Sequence, residues 1–243
     1  MKKLYEKNEV LFAVGAIVIY VVAAGTARGN FGDDSPWMLA VLAALTAALG
    51  WFLAKNQLLE KYGLTFWPES RRFLYFIPFG ILAVMNLRMG IRPHYGPMGQ
   101  VLAVLSMGLV GFLEELIFRG FLFRAIEKES HTRAVVISAV TFGAGHIVNL
   151  LTGQATAETA MQILYATAIG FAFVTAYDRG GSLWPCVLTH SLVNITSKFS
   201  NEQSPLGEVL IPAGAVLIIV LSAAYTVYMV KKCPKRGEGG LRP

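Results

Sequence analysis

Residues 111–123 read GFLEELIFRGFLF, a stretch apolar enough for a membrane-crossing helix yet interrupted by Glu114, Glu115 and Arg119. The apolar character extends back to residue 100, so 100–123 forms one run of the roughly 20 residues that a helix needs to span a hydrocarbon core. The charges are the anomaly. One charge at the centre of a spanning helix costs about 2.5–3.5 kcal/mol on insertion scales, so ionisable groups at that depth are functional candidates.

The rest of the chain is built in the same style. Of its 243 residues 55% are hydrophobic and 15% charged, and the mean hydropathy is +0.54, well beyond a soluble domain of this length. Eight apolar runs are predicted as spans: 10–27, 37–54, 73–87, 100–123, 134–152, 159–177, 182–196 and 209–230. The expected fold is therefore all-α, a polytopic bundle of about eight transmembrane helices in one integral membrane domain, 1–243. The third and seventh runs are short. Pro78, Pro185 and Pro212 fall in or beside runs, which membrane helices tolerate where neighbours satisfy the freed carbonyls.

The basic residues alternate as such a layout demands. Lys2, Lys3, Lys7; Lys55, Lys61, Arg71, Arg72; Arg124, Lys128, Arg133; Arg179; and Lys231, Lys232, Lys235, Arg236, Arg242 fall in segments expected inside, against Arg28, Arg88, Arg92 and Lys198 outside. Both termini are thus expected in the cytoplasm, and the location, in a prokaryote, is the plasma membrane. The net charge of +6 is spread by this alternation rather than gathered on one surface, which argues against a nucleic-acid partner. Cys186 and Cys233 are placed toward the reducing cytoplasm and are not expected to pair. The basic start resembles a signal peptide, but Glu6, Glu9 and the length of the first run favour a retained helix. Asn194-Ile-Thr196 matches a glycosylation acceptor by chance, since it ends a span.

Deep in the predicted bilayer lie few polar groups: Glu114, Glu115 and Arg119 in the fourth span, His146 and Asn149 in the fifth, His190 and Asn194 in the seventh. With adjacent spans running in opposite directions and a rise of about 1.5 Å per residue, Glu114, His146 and His190 all fall near mid-span. Residues four apart share a helix face, so Glu115 and Arg119 are expected to pair, as are the faces of Phe142 with His146 and His190 with Asn194. Glu114 then points away from the arginine. Each feature also has a plain structural reading: an ion pair orienting a helix, histidines bridging helices, phenylalanines packing, Gly143 and Gly145 permitting close helix approach. Their convergence at one depth favours a site. A carboxylate and an imidazole can activate water, while His190 and Asn194 offer donors to an oxyanion.

The order Glu114-Glu115-Leu-Ile-Phe-Arg119, Phe142-Gly-Ala-Gly-His146, His190-Ser-Leu-Val-Asn194 resembles the CPBP family of intramembrane proteases, which includes CAAX-processing endopeptidases. Phe118-Arg119-Gly120 and Gly181-Ser-Leu-Trp-Pro185 resemble it as well. The resemblance spans about 111–195 and implies a catalytic core in 100–196. It also implies catalytic Glu114, His146, His190 and Asn194, with supporting Glu115, Arg119 and Phe142, and a peptide or protein substrate, prenylated in one branch, reached from the bilayer. No cofactor is expected; zinc on the two glutamates and two histidines is the alternative, though no His-Glu-x-x-His is present. A membrane immunity, scaffold or transport protein is the non-enzymatic alternative, against which stands the absence of an internal repeat.

Overall fold

The structure, a computed structural model, describes residues 1–68, 74–201 and 203–234. Among them are nine helices: α1 (Lys2–Lys7), α2 (Glu9–Phe31), α3 (Pro36–Lys55), α4 (Ile77–Met89), α5 (Pro97–Glu127), α6 (His131–Thr152), α7 (Thr156–Gly180), α8 (Trp184–Ser197) and α9 (Gly207–Lys232). Six of them, α2, α3, α5, α6, α7 and α9, are long and apolar enough to cross a membrane. The other two predicted spans, the third and seventh, correspond to the shorter α4 and the 14-residue α8. The chain is an all-helical integral membrane protein. Arg71, Arg72, Lys235, Arg236 and Arg242, part of the charge alternation, and residue 73 of the third run lie outside the described residues.

The helices outrun the apolar runs that announce them. Hydropathy marks the stretch facing lipid, whereas a helix continues as long as its backbone is satisfied. Thus Arg28 lies inside α2, which Asn8 caps by accepting from Leu11 N at 2.8 Å and which ends at Gly32 with φ +80°. Side chains such as Val18, Ile19, Val22, Leu217 and Val220 stay exposed on α2 and α9 and supply the lipid-facing surface.

Charged segments expected on one side do meet at one end. Lys61 and Lys128 both reach Glu9 Oε1, at 2.9 and 2.8 Å. At the other end Asp33 accepts from Arg28 Nε at 2.8 Å and from Lys198 Nζ at 2.7 Å. Burial pushes the Asp33 carboxyl up, but the two cations outweigh it and hold it below the usual range.

Two of the long helices depart from α geometry where they carry the unusual residues. In α5 the α winding of Pro97–Glu115 gives way to a π-helical segment, Leu116–Phe123, whose eight residues are all buried. In α6 the segment Gly145–Thr152, carrying His146, tightens to a 3₁₀ helix. Such departures are uncommon in long helices and concentrate at functional sites.

Close approach of α5 to α8 rests on Gly111, where a Cβ would stand 2.6 Å from Ser191 N and 2.8 Å from its Cα. Those are backbone atoms and cannot swing aside. Ser191 Oγ further donates to Gly108 O at 3.0 Å. The contact sits between Glu114 and Glu115 on one helix and His190 on the other. Gly111→Val is therefore expected to push the helices apart, lowering the detergent melting temperature and activity together; a variant that melts and cleaves as the parent does would show the contact to be unimportant.

Gly143 plays the same part between α6 and α7, since a Cβ there would meet Ile163 O at 2.8 Å. Gly145 does not. Its nearest neighbour would be Phe118 Cζ at 3.9 Å, because the turn into 3₁₀ geometry faces it toward a cavity instead of a helix.

The start of α8 is fixed by the loop after α3. Leu183 N donates to Gly63 O at 3.0 Å, Ser182 Oγ to Phe66 O at 2.7 Å and Trp184 Nε1 to Leu64 O at 2.9 Å. Asn86 Nδ2 of α4 donates to Val193 O at 2.8 Å. These bonds hold the short α8, and with it His190 and Asn194, at a set depth. Cys186 and Cys233 are both free thiols.

Candidate active site

Glu115 and Arg119, four residues apart across the start of the π segment, form the expected pair: Arg119 Nη1 stands 3.0 Å from Glu115 Oε1, and both side chains have zero exposure. The guanidinium also lies 4.0 Å from the centroid of the Phe142 ring and 5.6 Å from that of Phe173. Aromatic faces carry partial negative charge and stabilise a desolvated cation. Phe142 is therefore more than packing: its ring is also edge-on to both His146 and His190, at 5.5 Å each.

His190 connects the two glutamates. Its Nδ1 is 2.8 Å from Glu115 Oε1 and its Nε2 is 3.6 Å from Glu114 Oε2. Glu115 Oε1, which also faces the Arg119 guanidinium, accepts the hydrogen bond from His190 Nδ1. The ring is thereby oriented, as second partners orient catalytic imidazoles elsewhere. In its charged form the ring donates from Nε2 as well, toward Glu114 or toward an anion arriving beside it.

Glu114 projects into a cavity of about 170 Å³ bounded by α2, α5, α6 and α8, whose walls include Tyr20, Glu114, His146, His190 and Asn194. Its Oε1 accepts a hydrogen bond from Tyr20 Oη at 2.6 Å. His146 lies 3.2 Å through Nδ1 from Phe142 O, a carbonyl that can only accept, so Nδ1 carries the proton and Nε2 is left as an acceptor. A second cavity, of about 530 Å³, opens on the other side between α4, α7, α8 and α9. His146, His190 and Asn194 stand in the walls of both. Leu82, Ile169, Phe173, Ala215 and Ile218 give the larger one an apolar wall.

The structure thus brings Glu115, Arg119, Phe142 and His190 into direct contact and sets Glu114, His146 and Asn194 around one cavity. Asn149 stands in the wall of the same cavity, where its Nδ2 donates to Gln162 Oε1 at 2.9 Å and ties α6 to α7. Two neighbours escape the sequence reading, Tyr20 and Phe173. Tyr20 had a signal: in the run 10–27 it is the one polar group near the middle, and a phenol so placed needs a partner. Phe173 had none, being one aromatic among many.

Among the described residues, carboxylate and imidazole donors gather as a close trio at Glu127, His131 and Asp178, which offer atoms within 4.8 Å of one another. Arg124 Nη1 binds Glu127 there at 2.8 Å and Arg179 Nε is 3.7 Å from Asp178, so the trio belongs to an ion-pair network. At the cavity each histidine engages its Nδ1, His146 with Phe142 O and His190 with Glu115 Oε1.

Paired glutamates and two histidines thus stand around internal cavities of an all-helical membrane bundle. Residues 97–196 match the model of the Rce1-like family, the type II CAAX prenyl endopeptidases, and the resemblance carried by the three motifs is borne out. YdiL of Bacillus subtilis (strain 168), which carries the name of a membrane peptidase, is 35% identical over 95 residues. That match covers 38% of this chain and 34% of the relative, so the similarity reaches about a third of the relative's length. No solved structure matches.

Proposed function

We propose that this protein is an intramembrane endopeptidase, in which Glu114 acts as general base on a water molecule. The observation that carries the reading is the division between the two glutamates: Glu115 is consumed by Arg119 and His190, while Glu114 lines the cavity and has Oε2 no nearer than 3.6 Å to His190 Nε2. Water held between Glu114 Oε2 and His146 Nε2 attacks the carbonyl carbon of a peptide bond. Its proton passes to Oε2, and the carbonyl oxygen becomes an oxyanion beside His190 Nε2 and Asn194. Glu114 then returns the proton to the leaving amine as the carbon–nitrogen bond breaks, so the enzyme ends as it began. No metal enters this scheme.

For the substrate we propose a peptide segment at the membrane, with a prenylated C-terminal CAAX sequence as the specific candidate. The matched family name and the apolar wall of the larger cavity support it. The test is cleavage by the detergent-purified protein of a panel holding farnesylated CAAX peptides, the same peptides without the lipid, and apolar segments lacking a CAAX end. Cleavage of the farnesylated members, undiminished by a chelator, is expected. Cleavage of none of the panel would remove the peptidase reading. Loss of activity with chelator, restored by stoichiometric zinc, would replace the metal-free scheme with the metalloprotease alternative.

A further inference from the structure

Tyr20 lies on α2, far outside the matched segment 97–196, yet its hydroxyl makes the shortest bond that Glu114 forms. We infer that Tyr20 is a positioning residue that decides which oxygen of Glu114 acts as the base; the inference rests on the reading of Glu114 above. The hydroxyl is 2.6 Å from Glu114 Oε1, and the side chain is 7% exposed. An ionised carboxylate can only accept, so Tyr20 donates.

The consequence is an asymmetry between the two oxygens. The phenol occupies Oε1, while Oε2, 3.6 Å from His190 Nε2, is left to take up a proton. When a proton arrives it is taken on Oε2, and the bond from Tyr20 persists to the neutral carboxyl's carbonyl-like Oε1. The phenol therefore serves in both protonation states and never needs to exchange its own proton. It also fixes the side-chain torsions of Glu114, which has no salt bridge to a lysine or arginine among the described residues.

The phenol is placed by packing rather than by chance. Phe12 on the same helix contacts Phe52 of α3 at 5.1 Å and Phe121 of α5 at 5.2 Å between ring centroids. The Tyr5 and Tyr62 hydroxyls meet at 2.9 Å near the same end. Small buried residues Ala24 and Ala27 let the far half of α2 lie close to its neighbours. With both halves anchored, Tyr20 is presented to Glu114 at a fixed height, and α2 closes one side of the smaller cavity.

The test uses the full-length purified protein and a peptide it cleaves. Tyr20→Phe keeps the ring and removes only the hydroxyl. It is expected to lower kcat about 10- to 100-fold, the cost of a misplaced catalytic group, with KM within about twofold of the parent. Tyr225→Phe, which removes a hydroxyl bonded to Tyr75 O at 2.6 Å away from both cavities, controls for the loss of any tyrosine bond and is expected to leave kcat unchanged. A Tyr20→Phe protein with parental kcat, or with a change confined to KM or melting temperature, overturns the inference. Glu114→Gln measured alongside separates the two failures: if Glu114→Gln is inactive and Tyr20→Phe is fully active, the positioning role alone falls, whereas if Glu114→Gln is fully active the base assignment falls with it.

Discussion

Glu114→Gln is expected to reduce kcat by about 10²- to 10⁴-fold, the usual contribution of a positioned general base, while the protein melts in detergent as the parent does. Gln is nearly isosteric and can still accept from Tyr20 through its amide oxygen, so the bundle loses little. What it loses is the ability to take a proton from water. The side chain is also relieved of a desolvated charge, which favours stability if it changes it at all. A variant with parental kcat would show that another group is the base. A variant that fails to fold would contradict the assignment of Glu114 to the cavity rather than to the framework.

The largest effect on stability is expected from the other glutamate's partner. Arg119→Leu removes the cation from a wholly buried carboxylate and leaves Glu115 with His190 alone. Breaking a buried ion pair from one side costs about 3–5 kcal/mol, because the remaining charge stays desolvated and uncompensated. The ring faces of Phe142 and Phe173 also lose the guanidinium they contact. Removing both partners, Glu115→Leu with Arg119→Leu, is expected to recover most of that stability, since two apolar side chains suit the surroundings. Activity should not return, because His190 then has nothing to hold its Nδ1. Thermal unfolding in detergent reads both results, and an Arg119→Leu protein that melts with the parent would show the pair to be dispensable.

Much of this arrangement is legible in the sequence because a membrane makes polar residues conspicuous. The runs of apolar residues locate the helices, since hydrocarbon allows few alternatives to a backbone satisfied within itself. The four-residue spacing of Glu115 and Arg119 announces their pairing, and the same arithmetic turns Glu114 aside. What the spacing cannot convey is the winding. The π segment after Glu115 and the 3₁₀ segment carrying His146 arise from packing between helices, and no residue type in 116–123 or 145–152 demands either. The link from His190 to both glutamates escapes as well, because it depends on how far α8 is drawn toward α5 at Gly111 and Ser191, a contact with no periodic signature. Tyr20 belongs to a helix whose sequence gives no hint of the neighbour it meets, although its polarity marks it as needing one.

The most direct test of the central claim, that Glu114 activates water for direct attack, is a single turnover in water carrying a heavy oxygen isotope, followed by mass analysis of the products and of the Glu114-containing fragment of the protein. Direct attack by water puts heavy oxygen in the new peptide carboxylate and none in Glu114. Label appearing in the Glu114 carboxylate would mean that this group attacks the substrate itself and is freed by water afterwards, which would contradict the account.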